Sequence, residues 1–348
     1  MKSMIVNVKP MKTLIKKSPG FIKKELSGYK LDLVALCGFG CLYCSSNTGN
    51  YLRINQKEFA EAAENQTGKA IKPKDAPNLM MIWPDVIEQL EKELADKPKE
   101  YGAGEVLMFS MLTDGFSPYL VKEGITKKVL EMILEKTSFR IRVLTKNAVV
   151  GNPDWVGFFE KNKERFMVGL STGSIDDKWS KSIEIGTSSP KARFSAYAKL
   201  QKAGVPTFGM LCPVFPDQMN DHAVEKMLDQ IDPEKVDQVW IEPFNDRANW
   251  RTVRASFTEG SPEYGWFTDV YELGKSENWS QYASELYVRV RDKAVSEGWL
   301  HKLKYLLYEG SITESDSIKF EGLEGVLLQS KPGDDGYSQN PHIARMQR

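Results

Sequence analysis

Histidine is nearly missing from this sequence: 348 residues contain three, His222, His301 and His342, set far apart. That scarcity argues against histidine acid–base chemistry and leaves carboxylates such as Glu242 for any proton transfer. Cysteine is also sparse at four residues, and so few, three of them bunched, argue against a disulfide scaffold. Net charge is absent too. Lys and Arg number 47 against 47 Asp and Glu, so no global field draws the chain to nucleic acid or to a membrane surface. No apolar run reaches the roughly 18 residues that a bilayer span needs, and the N-terminus lacks the unbroken apolar core of a secretory signal. A reducing, cytoplasmic setting is the expectation, with no membrane partner.

What is present is a rhythm. Residues 1–30 form a basic arm with eight lysines and one acid, Glu25, read either as a solvated arm or as a strip for phosphates. Short apolar runs then fit buried strands: "LDLVAL" (31–36), "EVLMFS" (105–110), "RIRVLT" (140–145), "FMVGLS" (166–171), "PTFGMLC" (206–212) and "QVWIEP" (238–243). Helix-patterned segments such as "ITKKVLEMILEK", "ARFSAYAKLQKAG" and "HAVEKMLDQI" lie between them. Strand followed by helix, about six times over, predicts an α/β fold, a full or partial (β/α) barrel of parallel strands across 31–245. Such a fold gathers its chemistry at the C-terminal strand ends. Residues 45–103 read as an insertion with extra helices. Residues 246–330 read as a helical extension whose aromatic-rich start, 246–280, is a candidate lid. The last stretch, 331–348, lacks apolar periodicity and reads as a mobile tail.

The chemistry-bearing feature is "CGFGCLYC", which holds Cys37, Cys41 and Cys44 within eight residues. Zinc wants four closed ligands, and only the distant Cys212 could complete the set. A ferredoxin-like carrier has the same shortage, since its cluster takes four thiolates. Three suffice where one iron stays open for a substrate or cofactor. A non-enzymatic Fe–S or zinc protein therefore stands beside a catalytic cluster as an alternative.

The spacing C-x3-C-x2-C after the first strand, with Tyr43 before the last cysteine, resembles the radical S-adenosylmethionine (SAM) superfamily. Further motifs resemble its spore photoproduct lyase-like branch: "FSMLTDGFSPY", "VLTKN", "VGLST" and "IEIGTSSPKARFSAYAKLQKAGVP", together spanning about residues 31–217. The resemblance implies a [4Fe–4S] cluster on Cys37, Cys41 and Cys44, SAM on its open iron, and an external flavodoxin- or ferredoxin-like reductant. It also implies a 5′-deoxyadenosyl radical that takes hydrogen from substrate. By the same resemblance Lys146 meets the SAM carboxylate, Ser110, Thr113, Asp114 and Ser171 lie toward its methionine end, Tyr43 stacks by the adenine, and Arg193 completes the pattern. As the bland alternatives, Lys146 is a solvated strand end, Ser110 and Ser171 cap strands, Thr113 and Asp114 shape a turn, and Arg193 is a helix-surface charge. Methionine stands where the resemblance places the lyase's hydrogen-returning cysteine, a departure that puts the lyase reaction itself in doubt while the resemblance still implies the class of chemistry.

Cys212 ends the fifth strand and reads either as a hydrogen relay, since a thiol S–H bond is weak, or as a buried core residue. In "DRANWRTVRASF" a helix would set Arg247, Trp250, Arg251 and Arg254 on one face, a platform for phosphate and base or an ordinary solvated face. A nucleobase or modified nucleotide, in a polymer or free, is the leading substrate class; a small metabolite or peptide is the alternative. No second cysteine cluster exists for an auxiliary Fe–S centre.

Overall fold

A computed structural model describes residues 3–73, 76–220 and 222–348. The chain divides into two compact units: Met1–Leu170 with Asp177–Thr207 and Arg247–Thr252, and Ser171–Asp176 with Phe208–Asp246 and Val253–Arg348. The fold is mixed α/β with mainly parallel strands, as the strand–helix alternation predicts. No helix among the described residues is long and apolar enough to cross a membrane.

The first unit contains β1 (Met4–Asn7), β2 (Lys16–Lys17), α1 (Pro19–Lys23), β3 (Tyr29–Leu31), β4 (Val34–Cys37), α2 (Asn50–Thr67), β5 (Leu79–Ile82) and α3 (Val86–Ala95). It continues through β6 (Val106–Phe109), α4 (Pro118–Lys122), α5 (Ile125–Lys136), β7 (Arg140–Thr145), α6 (Pro153–Lys161), β8 (Phe166–Thr172), α7 (Asp177–Ile183) and α8 (Pro190–Lys202). β3, β6, β7 and β8 pair in that order and in parallel, with β2 antiparallel on the outer side of β3. A smaller sheet orders β1, β5 and β4.

The helices between parallel strands follow from their apolar stripes. α5 turns Val129, Leu130 and Ile133 inward, each fully buried, which is the i, i+1, i+4 face of a helix lying on a sheet. α8 opens with Ser189 accepting from the Ala192 N–H and Pro190 at the first position, a favourable start on both counts. Its inner face seats Ala196 against Gly151, where a Cβ would come within 2.5 Å of the Ala196 Cα.

Three expectations change here. "LDLVAL" is two strands in two sheets: β3 pairs with β6 and β4 pairs antiparallel with β5. The break falls at Asp32, whose carboxylate accepts from the Leu112 and Thr113 N–H groups at 3.1 and 3.0 Å. The 45–103 insertion adds a strand, β5, to its helices. The basic arm packs, burying Val6, Val8, Leu14, Ile15 and Leu26 while Lys9, Lys12, Lys17 and Lys23 face out; Lys2 lies outside the described residues.

The second unit begins with the last two residues of β8, which pair with β9 (Gly209–Val214). α9 (Ala223–Ile231), β10 (Val239–Pro243), α10 (Trp250–Arg254), α11 (Pro262–Phe267), α12 (Ser276–Ser296), β11 (Leu303–Leu307), α13 (Glu314–Ser317), β12 (Val326–Leu328) and α14 (Pro341–Ala344) follow, with α10 starting in the first unit. β9, β10, β11 and β12 are parallel neighbours in that order. The aromatic-rich segment contributes Trp266, Phe267 and Tyr271 to one cluster with Phe215, Phe244 and Tyr282. The stretch predicted as a mobile tail is packed instead. Ile343 is fully buried, and the Asn340 amide donates to the Glu309 and Ile312 carbonyls, both at 2.8 Å. Its anchors are single polar bonds, which apolar periodicity does not register.

Candidate active site

All three clustered cysteines lie in the first unit, on the segment that leaves β4. Cys37 is the last residue of β4, and Gly38 and Gly40 follow with φ of +73° and +66°. Glycine is required there: a Cβ on Gly40 would lie 2.5 Å from the Pro77 Cβ. The segment then folds on itself. The Cys44 N–H donates to the Cys41 carbonyl at 3.2 Å, the Thr48 N–H to the Cys44 carbonyl at 3.0 Å, and the Asn47 amide to the Cys41 carbonyl at 3.2 Å. Neighbouring elements fix it from outside, through Leu42 N–H to the Ile183 carbonyl (2.9 Å) and Gly186 N–H to the Phe39 carbonyl (2.8 Å).

Burial raises all three thiols, Cys37 to about 12 and Cys41 and Cys44 above the usual range. Several groups oppose it: the backbone N–H groups of Phe39 and Asp114 pull the Cys37 thiol back down, those of Ser46 and Asn47 do the same at Cys44, and the Lys146 charge favours thiolates at Cys41 and Cys44. Among the described residues no group of three or more His, Cys, Asp or Glu side chains has the arrangement of ligands to a single metal ion. A cubane cluster spreads its thiolates over separate irons and takes cysteine sulfur as its protein ligand, and this segment offers three free thiols. The donor set fits one.

Beside the cysteine segment sits a buried charge hub. Glu184, 2% exposed, receives Lys146 Nζ at 3.1 Å and the Tyr43 hydroxyl on Oε1. Its Oε2 receives the Arg193 guanidinium and, at 3.2 Å, the Ser180 hydroxyl. Arg193 is 1% exposed and also donates through Nε to the Ser188 carbonyl at 2.9 Å. Burial pushes the Glu184 carboxyl up, but Arg193, Lys146 and the Tyr43 hydroxyl outweigh it and hold it at about 2. Arg193 is thus buried in an ion pair, and Lys146 stands 5.7 Å from the centre of the Tyr43 ring.

The end of β6 supplies a second group. Ser110 has φ +61° and is 2% exposed, and its hydroxyl has no hydrogen-bond partner among the described residues. An orphaned buried hydroxyl costs about 1–3 kcal/mol, so a polar ligand group fits here. Thr113 is turned away, its hydroxyl donating to Asp32 at 3.0 Å. Asp114 is spent on the backbone and a neighbour: it accepts from Phe116 N–H at 2.9 Å, Lys146 N–H at 2.8 Å and the Thr145 hydroxyl at 2.8 Å. Ser171 and Cys212 lie in the second unit. There the Ser171 hydroxyl donates to the Cys212 carbonyl at 3.0 Å, and the Cys212 thiol donates to Glu242, also at 3.0 Å.

Sequence reasoning did not nominate Asp32 or Ser180, and it named Glu184 only as the acid of the motif that holds Arg193, with no role in the site. Asp32, inside an apolar run, had the signal of a charge placed to be buried. In α10, Trp250 is 7% exposed with the Arg251 guanidinium 4.4 Å from its ring centre, while Arg254 is engaged by Glu272 and, at 3.0 Å, Thr268.

No family model matches the chain. It is 23% identical over 245 residues to the uncharacterized protein ORF301 of Acidianus two-tailed virus, covering 69% of this chain and 75% of the viral protein. Among solved structures it is similar to a spore photoproduct lyase variant with bound AdoMet and dinucleoside spore photoproduct, at 14% identity and a TM-score of 0.43. That match covers 77% of this chain and 66% of the lyase. It is also similar to native anSMEcpe with bound AdoMet and Cp18Cys peptide, at 13% identity and a TM-score of 0.42, over 78% of this chain and 61% of that one. Likenesses this distant do not carry the assignment, which rests on the residues themselves.

Proposed function

We propose that this chain is a radical SAM enzyme acting by hydrogen abstraction on a nucleobase or modified nucleotide. The observation that carries the class is the cysteine segment: three buried or half-buried free thiols at C-x3-C-x2-C spacing on one segment, with no fourth ligand on it. Cys37, Cys41 and Cys44 would hold a [4Fe–4S] cluster. When bound and reduced, that cluster with SAM at its open iron supplies a carbon radical that takes hydrogen from substrate. Lys146, already on Glu184 at 3.1 Å, has further N–H donors for the SAM carboxylate. The Ser110 hydroxyl offers an acceptor for the SAM ammonium. Glu184 holds Lys146 in place, and the burial of the hub excludes water from it. The nucleotide substrate class rests on sequence resemblance and on the Arg251–Trp250 stack; a small metabolite or peptide is the competing class.

The experiment is anaerobic reconstitution. The protein should hold about four irons and release 5′-deoxyadenosine from SAM when reduced with dithionite, and Cys37→Ala should abolish the release. Stoichiometric zinc with no SAM cleavage would overturn the proposal.

A further inference from the structure

We propose that Glu184 is a positioning residue for the cysteine loop, acting through the Tyr43 hydroxyl. Its two carboxylate oxygens serve two different sets of partners. Oε2 is committed to α7 and α8, through Ser180 at 3.2 Å and Arg193. Oε1 is committed to the two groups nearest the chemistry: Lys146, just past the end of β7, and Tyr43, between Cys41 and Cys44. One carboxylate therefore ties the middle of the loop to the end of β7, with the Arg193 guanidinium on its other oxygen holding it in orientation. Tyr43 is the one side chain of the Cys41–Cys44 stretch that could reach so far; Leu42 is anchored by its backbone alone, to Ile183 at 2.9 Å. The loop's other outside ties, Leu42 N–H to Ile183, the Phe39 carbonyl to Gly186 and the Ser46 hydroxyl to the Leu112 carbonyl at 2.9 Å, do not reach the end of β7; the Tyr43 tie does. Pre-setting a ligand loop lowers the ordering cost of binding.

The inference rests on the radical SAM reading for its purpose, not for its test. In the metal-free protein, alkylation of Cys41 and Cys44 by iodoacetamide, read by mass spectrometry, reports local opening of the loop. Cys212, in the second unit, is the internal control. Tyr43→Phe removes one oxygen and leaves Glu184, Arg193 and Lys146 in place. It should raise the Cys41 and Cys44 rates roughly tenfold, the worth of a hydrogen bond to a charged acceptor, with the Cys212 rate unchanged. Ser180→Ala loosens the other oxygen and should leave all rates near those of the parent. Unchanged Cys41 and Cys44 rates in Tyr43→Phe would overturn the proposal. So would an equal rise at Cys212, or an equal rise in Ser180→Ala. After anaerobic reconstitution the Tyr43→Phe protein should also retain less iron than the parent; should the parent take up no iron, the enzyme reading fails while the alkylation result still decides this one.

Discussion

At the scale of single residues, the outcome at Glu184 is a contest between desolvation and charge that charge wins. Burial alone would favour the neutral acid; Arg193 and Lys146 instead keep it ionised to about pH 2. Its folded pKa lies below the ordinary carboxylate value near 4.3. The stabilisation is therefore present above that value and lost as pH falls from there toward about 2. Glu184→Gln should flatten the acid limb of thermal stability in that window, measured by melting temperature against pH. An acid limb identical to the parent's would mean that other carboxylates carry it. Arg193→Ala, which strands the buried acid, should cost about 3–5 kcal/mol. The sequence located Arg193 by motif but left open whether it faced solvent, because polar residues on a helix register as outside unless their partner is known. Its partner was nine residues upstream in the same motif, and only the fold turns α7 and α8 toward each other.

At the scale of elements, Asp114 latches the ends of two parallel strands. It leaves β6 and accepts from Thr145 and the Lys146 N–H at the end of β7, so the strand end that carries Lys146 is fixed by a carboxylate from its neighbour. Burial pushes that carboxyl above the usual range, while the Lys146 and Phe116 N–H groups pull it back. Charge is costly there and the acceptor oxygens are what matter. Asp114→Asn, which keeps an acceptor, should therefore cost about 1 kcal/mol, and Asp114→Ala about 3 kcal/mol, read from urea midpoints at constant slope. Equal costs would mean that the negative charge, not the hydrogen bonds, holds the strands. Elements were legible wherever period and punctuation agreed: α5 covers the segment "ITKKVLEMILEK" end to end, and the β7 span matches "RIRVLT". They were illegible where one apolar run served two sheets, as at Asp32, or where a strand stood alone between helices, as β5 does. An apolar run tells that a segment is buried and says nothing of which ladder it joins.

At the scale of the molecule, zero net charge makes any affinity for a polyanion a local property. The sequence predicted one barrel over 31–245, whereas the compact units divide within β8 and the first unit takes in the arm, the insertion and residues Arg247–Thr252. Sequence rhythm counts strands and helices but cannot weigh the contacts that gather them. One consequence is that the first unit holds both the lysine-bearing N-terminal arm and the exposed Arg251 on Trp250. If the substrate is an oligonucleotide, a few cations must do all the phosphate neutralisation. The slope of log affinity against log salt should then be shallow, with Arg251→Ala reducing it by about 0.7–0.9. Trp250 is buried beneath Arg251 and offers no free face to a base, so the change falls on the charge alone. Fluorescence anisotropy with a labelled single strand at rising salt reads the slope. No binding even at low salt would move the substrate to the small-molecule class.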